Sequence, residues 1–174
     1  TYAAQEGAGG IAAALSVAQE SVDGSSVAVI LGDNVFMDTV EIQDALRKYR
    51  ASGEKGAMIF TKEVPDPERF GVAEIQGERV MSIVEKPKIP VSNLAVTGLY
   101  FYTKEVFDFI KRLKPSVRGE LEITDVNNQY ILKKRCQAVS FDGFWSDAGT
   151  FNSILRSAIW AQGNDKHVIS IYKE

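Results

Sequence analysis

The stretch that decides the fold of this chain is residues 27–36, which read Val27-Ala28-Val29-Ile30-Leu31-Gly32-Asp33-Asn34-Val35-Phe36. Five apolar residues in a row, mostly β-branched, predict a strand that is buried on both faces, as in a parallel sheet covered by helices. Glycine and asparagine tolerate the backbone angles of a sharp turn, so the strand is expected to end at Gly32. Asp33 should then lie just beyond the carboxyl end of a central strand, where open α/β sheets bind ligands.

A carboxylate at such a strand end has two interpretations. Asp33 can hold a hard cation such as Mg²⁺ against nucleotide phosphates, because these ions take oxygen ligands and keep several waters. It can also form an Asx turn that only terminates the strand. Residues 27–36 by themselves favour neither interpretation.

The segments next to this stretch show helix and strand patterns. Residues 11–20 are alanine-rich and predict a helix, and residues 39–52 predict an amphipathic one. The inward face of the second helix is expected to carry Ile42, Ala45, Leu46 and Tyr49. Residues 56–61 predict another buried strand, and a strand-helix-strand order of this length implies a parallel pair with residues 27–31.

The later part of the chain predicts shorter elements. Residues 71–75 and 79–85 should form a hairpin, and residues 95–102 a strand in which Gly98 marks a bulge or a close approach. Thr103 and Thr124 should each cap a helix. The remaining predicted elements are a strand at 136–141, a helix at 149–161 and a strand at 168–172. Residues 1–174 are thus expected to form a single α/β domain.

Composition limits the classes of partner. The chain has 174 residues, of which 45% are hydrophobic and 25% charged, as in ordinary globular proteins. A net charge of −3 without any Lys/Arg block argues against nucleic acid or an anionic membrane as the partner. Cys136 is the only cysteine, which excludes a disulfide framework and fits the cytoplasm. No apolar run approaches the length of a membrane span.

Seven short motifs together resemble the sugar-1-phosphate nucleotidyltransferase family. In chain order they are YAAQ (2–5) with GIA (10–12), LGDN (31–34), FGV (70–72), EKP (85–87), NLAVTGLYFY (93–102), RGELEITD (118–125) and WSDAGT (145–150). The resemblance implies a Rossmann-like, doubly wound mixed sheet with inserted β-hairpins. It also implies transfer of a nucleotide from a nucleoside triphosphate to a sugar 1-phosphate, with release of pyrophosphate. The RGELEITD and NLAVTGLYFY runs favour the thymidylyl branch, which uses dTTP and glucose 1-phosphate and yields dTDP-glucose.

The resemblance gives Asp33 and Asp147 the role of paired carboxylates that hold Mg²⁺ between the two substrates. They are 147 − 33 = 114 positions apart, so only the fold can bring them together. We expect the two carboxylates to lie roughly 4–6 Å apart, within the reach of one shared cation. Without the resemblance, Asp147 would be interpreted as a helix N-cap ahead of Gly149 and Thr150.

Lys86 resembles the lysine that binds the sugar phosphate, and an ammonium with three donors suits that task. Glu85 resembles the acceptor for a sugar hydroxyl, and Gly71 and Gly98 resemble glycines that let backbone groups approach the hexose. From residue type alone, Lys86 would be a solvated hairpin lysine, and the glycines would serve turns.

Further residues are assigned to substrate binding by the resemblance. Gln5 and Gly10 resemble a pair that contacts the base, and Asn34 is placed beside Asp33 in the substrate site. The apolar walls of the sugar pocket would be Val96, Tyr100 and Trp145, although such residues in strands are more often simply core.

The chain departs from the family pattern in two places. Residues 7–9 read GAG where the family has a proline, which leaves base selectivity open, and no G-x-G-T-R-L loop for cradling the triphosphate occurs in the sequence. We therefore expect an N-terminally truncated nucleotidyltransferase domain, inactive alone. The alternatives are a uridylyl, cytidylyl or guanylyl transferase, or a non-catalytic module that binds a sugar phosphate, a nucleotide or a partner chain. The sequence does not decide the oligomeric state, and a homo-oligomer is compatible with it.

Overall fold

The computed structural model describes residues 2–22 and 24–164. Its strands form one sheet of six and one ribbon of two: β1 Val27–Ile30, β2 Val35–Phe36, β3 Ala57–Glu63, β4 Gly71–Gln76, β5 Arg79–Glu85, β6 Leu94–Tyr102, β7 Cys136–Ser140 and β8 Trp145–Ser146. Its α-helices are α1 Ile11–Val17, α2 Gln19–Val22, α3 Val40–Ala51, α4 Val106–Ile110, α5 Ile123–Leu132 and α6 Phe151–Asn164, with a 3₁₀ turn at Pro67–Arg69.

The large sheet is mixed, as the sequence predicts, and its order is β1-β6-β3-β7-β5-β4. Among the described strands, β3 and β7 are the one parallel pair, and all other neighbours are antiparallel. The expected parallel pair of β1 and β3 is wrong as a direct pair, because β6 lies between the two strands and is antiparallel to both. A strand that enters from a distant part of the sequence leaves no local signal in residues 27–61.

The prediction that β1 is buried on both faces is also wrong. Its residues alternate between half-buried and exposed, and Ile30 keeps 63% of its surface accessible. The cause is its position, since β1 is the last strand of the sheet and packs through Val27 and Val29 only. An apolar run therefore does not by itself distinguish a central strand from an edge strand.

Helices cover both faces of the sheet, and successive side chains of β3 pack alternately against the helices on one face and on the other. Ala57 and Ile59 pack on the side that holds α1, α4 and α5. Met58 and Phe60 pack on the opposite side against α3. In α3, Ala45 and Tyr49 are buried and Ile42 and Leu46 are half-buried, which confirms the predicted inward face.

Several other boundaries follow the predictions, with local exceptions. The hairpin of β4 and β5 is confirmed. The helix expected at 11–20 is interrupted at Ala18. Thr124 does not cap α5 as predicted: it lies inside the helix, whose N-cap position is Glu122, and its hydroxyl donates to Glu85. The expected strand at 168–172 lies outside the described residues. Within the described part of the chain, no helix is long and apolar enough to cross a membrane.

The two-stranded ribbon was not predicted, and it positions the site. Val35 of β2 pairs with Ser146 of β8, and Phe36 pairs with Trp145, in antiparallel register. Asn34 directly precedes the first of these pairs, and Asp147 directly follows it. The ribbon thus joins the turn after β1 to a segment more than 100 positions away, which local patterns cannot indicate.

Candidate active site

A cleft of about 240 Å³ opens beyond the carboxyl end of β1, between β6, the β4–β5 hairpin and the ribbon. Its lining contains most of the residues assigned to a site from the sequence: Asp33, Asn34, Gly71, Glu85, Lys86, Val96, Gly98, Tyr100, Trp145 and Asp147. These residues come from five separate strands and turns. The fold therefore brings together side chains that the sequence separates.

Asn34 connects the parts of this cleft. The turn predicted after β1 is confirmed, because the Asn34 N–H donates to the carbonyl oxygen of Leu31 at 3.1 Å. Its Oδ1 accepts from the backbone N–H of Gly98 at 2.9 Å and from Trp145 Nε1 at 2.7 Å. Its Nδ2 donates to Asp33 Oδ1 at 2.8 Å. Both acceptor positions of the amide are thus used within the protein, and one of its two N–H groups holds Asp33.

The close approach expected at Gly98 is present. A Cβ on this residue would lie 2.6 Å from the Asn34 side-chain amide, so only glycine leaves room for the hydrogen bond. The approach at Gly71 is less close, since a Cβ there would lie 3.3 Å from Glu85 Oε2. Both glycines bring a backbone segment close to a polar side chain of the cleft.

The two candidate metal ligands lie in the same cleft but differ in their surroundings. Asp33 is exposed, whereas the Asp147 side chain is 19% accessible and its Oδ2 accepts from Arg69 Nη2 at 2.9 Å. Asp147 Oδ1 is buried and has no hydrogen-bond partner. An unpaired buried carboxylate oxygen in the same cleft as a second carboxylate suits a hard cation. The separation of 4–6 Å between the two carboxylates stays a prediction.

The protein offers few other ligands for such an ion. Among the described residues, no group of three or more His, Cys, Asp or Glu side chains could enclose a metal. Mg²⁺ in proteins is usually bound by one or two carboxylates, and phosphates and water fill its remaining coordination positions. The donor set therefore fits a magnesium ion that binds together with a phosphate-bearing substrate.

Glu85 and Lys86 lie at the end of β5. Glu85 Oε2 accepts from the Thr124 hydroxyl at 2.6 Å, which fixes the carboxylate on the cleft wall. Lys86 has a φ of 43°, a conformation that is strained for a non-glycine residue, and its N–H donates to the Phe70 carbonyl at 2.9 Å. This backbone turn leaves the exposed Lys86 side chain in the lining of the cleft.

Arg118 adds a cluster of charges beside Glu85. Its guanidinium donates to Glu122 Oε1 at 3.1 Å and Oε2 at 2.7 Å, and lies 3.7 Å from Glu85 and 3.6 Å from Glu120. Partial burial raises the pKa of Glu122, but hydrogen bonds from Arg118 and Ser116 outweigh it and leave the pKa below its usual value. Glu122 is therefore held ionised next to the cleft.

The three residues that the resemblance assigns to apolar walls also lie in this cleft. Val96, Tyr100 and Trp145 line the cleft. Burial raises the pKa of Tyr100, and the nearby Glu85 and Asp33 carboxylates raise it further, so its hydroxyl stays neutral. Its ring stacks on Tyr102 at a centroid distance of 5.6 Å, which fixes the wall against the core.

Gln5 and Gly10 lie close together but outside the lining of the cleft. Gln5 Nε2 donates to the Gly10 carbonyl at 3.3 Å, and Gln5 lines a separate cavity with residues of α1 and α2. Ile11, the residue after Gly10, does line the cleft. The pair is therefore adjacent to the site, and its contact with a base stays a prediction.

Among the lining residues that sequence reasoning did not assign to the site, Arg69 and Thr124 donate hydrogen bonds to the assigned carboxylates Asp147 and Glu85. Thr124 belongs to the RGELEITD motif, but its capping propensity suggested a different role. Arg69 directly precedes the FGV motif and carried no signal, because a single arginine at the end of a 3₁₀ turn is ordinary surface sequence.

Comparison with known proteins defines the class of this fold and site. The chain belongs to the nucleotidyl transferase family, whose sequence model matches residues 1–160. It is 41% identical over 165 residues to a glucose-1-phosphate thymidylyltransferase of Neisseria meningitidis serogroup A, and the match covers 93% of this chain and 57% of that protein. It is 42% identical over 160 residues to a glucose-1-phosphate thymidylyltransferase of Xanthomonas campestris pv. campestris, covering 90% of this chain and 54% of that one. The chain thus spans about half the length of the curated relatives it matches.

Solved structures agree on the fold. A Bacillus anthracis protein named as a glucose-1-phosphate thymidylyltransferase, in complex with a sucrose, superposes with a TM-score of 0.86 at 45% identity. That superposition covers 95% of this chain and 66% of the other. A UDP-glucose pyrophosphorylase complexed with UDP-glucose superposes with a TM-score of 0.85 at 24% identity, which shows a shared fold alone.

Proposed function

We propose that the protein containing this chain joins glucose 1-phosphate to the α-phosphate of dTTP, giving dTDP-glucose and pyrophosphate. The observation that carries the proposal is the meeting of Asp33, Lys86 and Asp147 in one cleft with the apolar walls of a sugar pocket. The names of the relatives support the same reaction. Because the chain spans about half of those relatives, the activity is assigned to the whole protein.

The chemistry that these side chains suit is positioning and charge neutralisation, since phosphoryl transfer needs little covalent help from the protein. Lys86 is proposed to pair with the sugar phosphate, whose oxygen attacks the nucleotide. Glu85, oriented by Thr124, is proposed to accept a hydrogen bond from a sugar hydroxyl. Val96, Tyr100 and Trp145 would exclude water around the hexose.

Nucleotidyltransferases related to this chain generally use a divalent metal ion, and we propose Mg²⁺. Asp33 and Asp147 are the residues that would hold it. When bound, such an ion supplies positive charge between the phosphates of the two substrates. The buried, unpaired Asp147 Oδ1 supports this assignment.

The choice of base is proposed from Gln5 and Gly10 together with the names of the relatives. The Gln5 amide has donors and an acceptor that can meet the edge of a pyrimidine, but its Nε2 is bonded to the Gly10 carbonyl. Uridylyl, cytidylyl and guanylyl transfer are the competing specificities. We place the reaction in the cytoplasm, which suits a buried free thiol at Cys136.

The test is a coupled pyrophosphate-release assay on the full-length protein with glucose 1-phosphate and each of dTTP, UTP, CTP and GTP. We expect turnover to be fastest with dTTP and to be largely lost in Asp147→Asn. A faster rate with another nucleotide would correct the base. Absence of pyrophosphate release with all four would favour a non-catalytic binding module.

A further inference from the structure

Arg69 joins two carboxylates from separate parts of the chain. Its Nη1 donates to Asp66 Oδ2 at 2.7 Å, and its Nη2 donates to Asp147 Oδ2 at 2.9 Å. The first partner is three positions away and the second is 78 positions away. A planar guanidinium can donate in two fixed directions at once, which a lysine ammonium cannot do with the same geometry.

The guanidinium is also held from a third direction. Its Cζ lies 5.0 Å from the centroid of the Phe70 ring, and that ring meets Trp145 edge-on at 5.2 Å. Trp145 donates to Asn34, which donates in turn to Asp33. The two candidate metal ligands are thus the ends of one continuous series of contacts that passes through Arg69.

The two oxygens of Asp147 have different surroundings. Oδ2 is bonded to Arg69, whereas Oδ1 is buried without any partner. A buried acceptor without a partner is unfavourable unless a ligand pairs with it. Arg69 therefore fixes the carboxylate through one oxygen and leaves the other one available.

We infer that Arg69 is a positioning residue that holds Asp147 by Oδ2 and keeps Oδ1 free for a divalent cation. The inference rests on the proposed function, because it needs Asp147 to be a ligand. Carboxylates that bind metals are commonly hydrogen-bonded by neighbouring groups, and loss of such a group typically weakens metal binding by roughly 10–100-fold. Arg69 does not itself contact the reacting atoms.

The experiment measures binding of Mn²⁺ to the full-length protein in the presence of saturating glucose 1-phosphate and without nucleotide, from the electron paramagnetic resonance signal of the free ion. Manganese takes the same oxygen ligands as magnesium. We expect Arg69→Gln to weaken Mn²⁺ binding by roughly 10–100-fold, and Arg69→Lys to recover only part of the loss. Arg47→Gln is the matched control, because Arg47 pairs with Asp44 on the exposed surface of α3, and the affinity of this variant should equal that of the parent.

Several outcomes overturn the inference. Mn²⁺ binding that is tighter in Arg69→Gln than in the parent would show that Arg69 competes with the cation. Full recovery in Arg69→Lys would show that charge suffices without positioning. A parent protein that binds no Mn²⁺ would overturn the cation site of the proposed function together with the inference, whereas binding by the parent with an unchanged Arg69→Gln overturns the inference alone.

A second variant covers the case in which Arg69→Gln does not fold. Asp66→Asn keeps the arginine but removes its other carboxylate, which is 40% accessible and should tolerate substitution. We expect a smaller but measurable loss of Mn²⁺ affinity, with a thermal unfolding curve like that of the parent. An affinity unchanged by Asp66→Asn would then count against the positioning role.

Discussion

At the scale of single residues, the site depends on a few side chains whose hydrogen-bonding groups are nearly all used. Asn34 accepts from Gly98 and Trp145 and donates to Asp33. This one amide therefore holds a strand, a ribbon and a candidate metal ligand in fixed relation. Such preorganised positioning is what a transfer reaction without covalent catalysis requires.

Gly98→Ala tests this arrangement. The new Cβ would lie 2.6 Å from the Asn34 amide, so the amide or the strand must move, and overpacking of this kind costs about 1–3 kcal/mol of unfolding free energy. Urea unfolding of the parent and of Gly98→Ala measures this loss of unfolding free energy. Gly32→Ala is the matched control, because a Cβ there meets open space, and it should change stability little. Equal stability of both variants would contradict the close approach.

Lys86→Ala separates a functional lysine from a solvated one. In the full-length protein we expect a loss of about 2.7–4 kcal/mol of transition-state stabilisation, the scale for one preorganised donor. Unfolding free energy should hardly change, because the Lys86 side chain is exposed. The measurement is kcat/KM with dTTP and glucose 1-phosphate. The control is Lys88→Ala, because Lys88 is two residues further on and is also exposed, and this variant should keep the parent rate. A parent-like rate in Lys86→Ala as well would show that Lys86 is an ordinary solvated lysine.

At the scale of elements, ion pairs connect neighbouring helices and strands at the protein surface. Glu105, the residue before α4, accepts from Lys133 at the end of α5 and from Arg135 before β7, the latter at 3.0 Å. The hydrogen bond from Lys133 is the main cause that lowers the pKa of Glu105, and Arg135 adds to it although burial opposes it. Glu105 thus ties three elements together on one face of the sheet.

The stability contributed by Glu105 should depend on pH. Its folded pKa is lowered, so the contribution is complete above the unfolded pKa of about 4.3 and is lost as the pH falls through the folded value. At pH 7 we expect Glu105→Gln to be less stable by about 1 kcal/mol, given the partly exposed partners. Thermal unfolding of both proteins between about pH 7 and pH 3 should show the difference shrinking.

The control for that series is Asp44→Asn, which removes an exposed ion pair within α3 and should change stability little. A difference between the parent and Glu105→Gln that grew on acidification would contradict the assigned sign.

At the scale of the whole molecule, the most exposed element of the sheet is β1. It pairs with β6 on one side and ends the strand order on the other, over the described residues. Ile30 is 63% accessible, and an apolar strand with a free edge is a template for pairing with another chain.

We therefore predict that these 174 residues, expressed alone, aggregate or associate through β1 and show no turnover of dTTP and glucose 1-phosphate. Light scattering and the pyrophosphate assay measure the two properties. Ile30→Lys should reduce association, because a charge on an edge strand opposes pairing. Val117→Lys changes an equally apolar, fully exposed loop residue and should have no such effect. A monodisperse, active monomer would show the prediction to be wrong.

The sequence alone determined several local elements and indicated most of the candidate site residues that line the cleft. The inward face of α3, the hairpin of β4 and β5, and the turn at Asp33 follow from periodicity and turn residues, which act over a few positions. The motifs also selected most residues that line the cleft, although the residues alone left Asp33 and Asp147 open to structural roles.

Only the tertiary structure decided how those pieces meet. It inserted β6 between β1 and β3, placed β1 at an edge, and paired β2 with β8. It also joined Asn34 to residues 64 and 111 positions away and brought Arg69 to Asp147. Contacts of this kind depend on hydrogen bonds and packing between segments distant along the chain, and the short-range pattern of either segment carries no record of its partner.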